Sequence, residues 1–143
     1  MTVATILKTK GSAVHTMEAG RTLADAAKIL SERKVGAVVV VEGKGKIQGI
    51  LSERDIVLAI AGHGPGALTR SVADYMTTTI VSCVRTDSLE HLMTLMTDRR
   101  IRHLPVIESG KLLGIVSIGD VVKRRIADTE FEANSMREYI AHA

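Results

Sequence analysis

The chain has 143 residues, of which 45% are hydrophobic and 24% charged. That balance excludes a disordered chain and suits one domain, or two small units sharing a core. A net charge of +3 is too mild to mark a nucleic-acid binder, and Tyr75, Phe131 and Tyr139 are too few aromatics for a base-stacking platform.

Read from the N-terminus, MTVATILKTKGS lacks the apolar core of a secretory signal. No apolar stretch approaches the roughly 20 residues of a membrane helix. Cys83, the single cysteine, excludes an internal disulfide and a cysteine-rich zinc site and fits a reducing compartment. A cytoplasmic location away from membranes is expected. Leu23, Ala26, Ala27 and Leu30 follow the i, i+3, i+4, i+7 spacing of a helix face. Val35–Val41 is a short branched run that predicts a buried strand. A hairpin turn follows at Glu42–Gly45, then a third strand containing Gly49, then a helix. Ala61–Ser71, with Gly62, Gly64, Pro65 and Gly66, reads as a linker.

The same order then repeats. GKIQGILSERDIV at Gly45–Val57 and GKLLGIVSIGDVV at Gly110–Val122 agree at seven of 13 positions, where average usage gives about one by chance. Leu89, Leu92, Met93 and Met96 repeat the helix face, Ile101–Ile107 the strand, and Glu108–Gly110 the turn. The division is therefore repeat 1 over residues 1–62, a linker over 63–71, repeat 2 over 72–128, and a C-terminal helix over 119–141. Val122, Ile126, Met136, Tyr139 and Ile140 mark the apolar stripe of that helix. One repeat alone is marginal for an independent core, so the two are expected to pack as a pair about a pseudo-two-fold axis.

The repeated motif is Gly-x-x-Ser-x-x-Asp, at Gly49–Asp55 and Gly114–Asp120. Two readings attach to it. Ser52 with Asp55, and Ser117 with Asp120, can cap a helix N-terminus. The same carboxylates can accept hydrogen bonds from the neighbouring hydroxyls of a ribose, beside amides suited to phosphate. The glycine admits either another backbone or a ligand. Capping alone does not account for Asp in both copies with Gly and Ser retained.

With these motifs, and with VGAVVVVEGKGKIQGILS, IRHLPVIESGKLLGIVS and VADYMTTTIVSC, the chain resembles a tandem cystathionine-β-synthase (CBS) domain pair. The resemblance implies an α/β (α+β) fold of two repeats, each a small sheet with two helices, packed through their sheets. It implies two adenosine-binding clefts. Ser117 and Asp120 fall in one, with the backbone near Thr79–Val81 at the base. Ser52 and Asp55 fall in the other, with the backbone near Ala13–His15. Arg54, Arg102 and His103 are the cations expected at phosphate.

Lys123-Arg124-Arg125 reads as a solvated helix face that could also meet phosphate. No catalytic set can be assembled, so an enzyme is not expected. No cofactor is required. The expected ligand is an adenine nucleotide, AMP first, with ADP, ATP, NAD(H) or S-adenosylmethionine as alternatives. The expected role is a regulatory homodimer acting on a partner protein that the sequence does not name. The alternative is a dimerising scaffold with vestigial sites.

Overall fold

The computed structural model describes residues 1–11 and 13–142. Among them the chain is mixed α/β, with five α-helices and two small sheets. It divides into two compact units. One comprises residues 13–82, the other residues 1–12 together with 83–143.

In the first unit, β1 (Thr16–Glu18) leads to α2 (Leu23–Arg33), β2 (Ala37–Glu42), β3 (Lys46–Ser52) and α3 (Glu53–His63). The sheet order is β1-β2-β3, with β1 parallel and β3 antiparallel to β2. Leu23, Ala26 and Leu30 of α2 are buried against Val38, Val40 and Leu51 of the sheet and Ile56 of α3. The helix forms where the 3.6-residue apolar spacing was read, and Thr22 starts it by accepting the Asp25 N–H on its hydroxyl. Residues 63–71, a linker on sequence grounds, are folded. Gly64–Thr69 forms a 3₁₀ turn started by Pro65, and Ala67 enters the core. The fixed φ of proline favours such a turn, and the Arg70 carbonyl then accepts the Leu23 N–H at 3.0 Å.

The second unit repeats this order with α4 (Leu89–Arg99), β4 (His103–Glu108), β5 (Lys111–Ser117) and α5 (Ile118–His142). Leu89, Leu92 and Met96 take the places of Leu23, Ala26 and Leu30 and are likewise buried. Both hairpins carry the same irregularity, between Val40 and Val41 and between Val106 and Ile107. The strand that opens the first sheet is reduced here to one parallel bridge, Cys83 to Val106. Burial and the nearby Asp87 push the Cys83 thiol up to about 12, so it is an inert packing group. Helix α5 runs 25 residues, and from residue 129 to 142 every position is exposed.

Helix α1 (Val3–Lys10) has no counterpart in the sequence reading, and it belongs to the second unit. Its partners explain the placement. Val3 N–H donates to the Asp87 carbonyl and Ala4 N–H to Arg85, while the Met1 carbonyl accepts from Leu89. In the first unit the 3₁₀ turn Val72–Asp74 does the same work. Val72 N–H donates to Arg21, Ala73 N–H to Ala19, and Arg70 accepts from Leu23. Thr2-Val3-Ala4 and Ser71-Val72-Ala73 are thus equivalent, and Val3 and Val72 are both fully buried. Each repeat's sheet is closed by the segment that opens the other repeat in sequence.

These closing segments fill the space left by the motif glycines. A Cβ on Gly49 would lie 2.7 Å from the Thr77 carbonyl oxygen and 3.0 Å from Met76 Sδ. A Cβ on Gly114 would lie 2.6 Å from Leu7 Cδ2. Of the two occupants admitted by the sequence, backbone or ligand, both glycines face the chain itself.

Candidate functional site

The two Ser-x-x-Asp motifs sit where a strand hands over to a helix, β3 to α3 and β5 to α5. Both form caps. Ser52 N–H donates to Asp55 Oδ2 at 2.9 Å, Asp55 N–H to Ser52 Oγ at 3.3 Å, and Ser52 Oγ to Asp55 Oδ2 at 3.2 Å. Ser117 N–H donates to Asp120 Oδ2 at 2.9 Å and Asp120 N–H to Ser117 Oγ at 3.1 Å. A third box of this kind, Thr22 with Asp25, starts α2 away from either motif. Asp rather than Glu is therefore this chain's ordinary capping acid, and its appearance in both motifs is accounted for by capping. What capping leaves open is Oδ1. Among the described residues neither Asp55 nor Asp120 uses it, since every bond goes to Oδ2.

The surroundings of the two carboxylates differ. Asp120 lines a cleft of about 270 Å³ within its own unit. Ile6, Thr9 and Lys10 of α1 form one wall, and Lys123, Arg124 and Ala127 of α5 form the other. Lys10 Nζ donates to Asp120 Oδ2 at 2.6 Å and to the Ile115 carbonyl at 2.8 Å. Burial raises the Asp120 carboxyl, but the Lys10 ammonium and the Ser117 amide outweigh it and hold the group below the ordinary carboxylate value. Arg124 Nε lies 3.3 Å from Asp128 Oδ1. Arg125, next in sequence, turns away to Glu90 at 3.1 Å. The tri-basic run is therefore split, two residues on the cleft and one on the neighbouring helix.

Of the residues singled out from sequence, Arg102, His103, Ser117 and Asp120 come together in one unit. His103 pairs with Ser117 across β4 and β5, and the Arg102 carbonyl accepts the Ile118 N–H at 2.8 Å. The Arg102 side chain is exposed and His103 is half-buried, and neither lines the Asp120 cleft. Ser52, Arg54, Asp55 and His15 share the other unit. Arg54 is exposed on the first turn of α3, and His15 is half-buried just before β1. Thr79 and Val81 lie in the irregular stretch that ends that same unit. The cations of the cleft are thus Lys10, Lys123 and Arg124. Two were legible: residues 120, 123, 124 and 127 fall at i, i+3, i+4, i+7 and share one face of α5. Lys10, 110 residues from Asp120 in sequence, carries no local signal.

Known proteins with this pattern agree with one another. A sequence profile of the CBS domain matches residues 11–62 and again residues 72–127. The CBS domain-containing protein YhcV of Bacillus subtilis is 32% identical over 140 residues, spanning 98% of this chain and 97% of that protein. The solved structure of the CBS-domain containing protein ATU1752 from Agrobacterium tumefaciens is similar with a TM-score of 0.85 and 44% identity, over 87% of this chain and 92% of that one. The CBS domain pair of protein MJ0100, solved with 5′-methylthioadenosine and S-adenosyl-L-methionine, is similar in fold with a TM-score of 0.80. Its identity is 22%, over 90% of this chain and 98% of that one. No helix among the described residues is long and apolar enough to cross a membrane.

Proposed function

The chain belongs to the CBS domain family, with two copies of the domain, and from that premise we propose that it is a regulatory module that binds an adenosine phosphate, AMP foremost. Asp120 takes the two ribose hydroxyls through both carboxylate oxygens, Oδ1, which its cap leaves open, and Oδ2, and Asp55 does so in the other unit. Ser117 and Ser52 hold the carboxylates in place. The supporting observation is the cleft beside Asp120, where a carboxylate suited to a diol stands among cations suited to phosphate, lined by Ile6 and Ala127. The adenosine-type ligands of the MJ0100 pair point to the same chemical class. Arg102 and Arg54 supply further positive charge near each motif. The module acts by changing its affinity for a partner protein when the nucleotide binds, and it catalyses nothing.

Calorimetric titration of AMP and of its 2′,3′-dideoxy analogue into wild type and Asp120→Asn tests the ribose contact. Loss of charge-assisted hydrogen bonds should weaken AMP by about 10- to 100-fold and the dideoxy analogue much less. Equal losses for both ligands would leave Asp120 a capping residue only.

A second reading, a homodimer built for association, is favoured by Phe131, Met136, Tyr139 and Ile140, which stand 59–74% exposed on α5. Light scattering that finds a 15.4 kDa monomer at micromolar concentration sinks that reading.

A further inference from the structure

One of the cations around Asp120 is already bound to it. Oδ2 receives the Lys10 ammonium at 2.6 Å and the Ser117 N–H at 2.9 Å. A carboxylate oxygen offers about two lone-pair sites, so Oδ2 is filled for as long as Lys10 stays, and until then only Oδ1 is open to a diol. At Asp55 the second donor to Oδ2 is the Ser52 hydroxyl at 3.2 Å. That hydroxyl is uncharged and can rotate to another acceptor. A diol that binds through both oxygens therefore displaces a weak neutral contact at Asp55 and a short charge-assisted one at Asp120.

We infer that Lys10 is a displaceable counter-ion that makes the Asp120 site select phosphorylated nucleosides over neutral ones. The inference rests on the reading that Asp120 holds ribose. When the diol takes Oδ2, Lys10 has to leave it. The lysine sits on the last turn of α1, and its flexible stem opens on the same cleft as Lys123 and Arg124. A phosphate in that cleft gives the ammonium a new partner, so the number of charge-assisted contacts is conserved. A nucleoside without phosphate leaves the ammonium only the Ile115 carbonyl and loses one such contact. Asp55 has no ammonium partner among the described residues, and its site carries no such filter.

The test follows the Ser117 amide resonance of the full chain while AMP or adenosine is titrated into wild type, Lys10→Gln and Lys10→Arg. Wild type should prefer AMP over adenosine by about 10- to 100-fold at this site. Lys10→Gln should bind adenosine more tightly than wild type does and lose most of the preference. Lys10→Arg, which keeps the charge, should keep it. An unchanged preference in Lys10→Gln overturns the role of Lys10 while leaving nucleotide binding standing. Absence of binding by either ligand to wild type and to both variants overturns the nucleotide reading and this inference with it.

Discussion

The two repeats close the same sheet edge with different chemistry. In the first unit the Ile50 carbonyl on β3 accepts the main-chain N–H of Thr77 at 2.9 Å, and Ile50 N–H donates back to the Thr77 carbonyl at 3.0 Å. In the second unit the equivalent carbonyl, Ile115, accepts the Lys10 ammonium at 2.8 Å, and the same ammonium holds Asp120. A main-chain pair carries no net charge and is fixed by the fold. A lysine is charged and mobile, and can be exchanged for another cation. Near-identical scaffolds thus give one motif a static neighbour and the other a movable one.

The scaffold itself should behave as equivalent halves. Leu23→Ala and Leu89→Ala each empty a fully buried site at the start of a core helix, and both should lower stability by about 2–5 kcal/mol in urea denaturation. Tolerance of one with collapse on the other would break the equivalence.

A smaller and unequal effect is expected at the motif glycines. Gly49→Ala presses a methyl against the Thr77 main chain, which is itself hydrogen-bonded, whereas Gly114→Ala meets only the tip of Leu7. Overpacking against backbone should cost about 3 kcal/mol and against a side chain that can swing aside about 1 kcal/mol. Equal shifts in the denaturation midpoint would show that both edges are equally rigid.

The least effect belongs to the Lys10–Asp120 pair, with side chains 34% and 24% exposed. Lys10→Met should lower stability by less than about 1 kcal/mol at neutral pH. The folded Asp120 carboxyl lies below its ordinary value of 3.8. Its contribution is therefore complete above 3.8 and fades as the pH falls through the lower, folded value. The gap between wild type and Lys10→Met should close over that acidic range. A gap that persists unchanged at the acid end would assign the effect of Lys10 to packing.

Periodicity and repetition made most of the scaffold legible. The apolar faces of α2 and α4, the paired hairpins and the Gly-x-x-Ser-x-x-Asp junctions are all local patterns, and they were written twice. Helix α1 was hidden for the opposite reasons. VATILKTK mixes branched residues with a weak apolar stripe, and its match to the 71–76 segment runs at a 69-residue offset, against 66 at Leu23 and Leu89. Its bonds to the second unit are long-range, so nothing nearby in sequence records them. The same distance concealed Lys10. Arg54, inside the first motif, and Arg102, ahead of β4, were expected at phosphate, yet the helix face occupied by Asp120 selects Lys123 and Arg124 for the cleft.

The exchange of opening segments between the units also bears on how the chain is made. Residues 13–82 are contiguous, so that unit has all its parts once its last residue clears the ribosome. Helix α1 emerges before residues 13–82 but finds its sheet only after β5 and the start of α5 have followed. With 110 residues separating Lys10 from Asp120 and synthesis at about 5–20 residues per second, the helix waits on the order of 5–20 s. During that interval Val3 and Ile6, both buried in the finished protein, have no core to enter. The segment around α1 is then a short amphipathic stretch without its core, and the second unit is completed after the first.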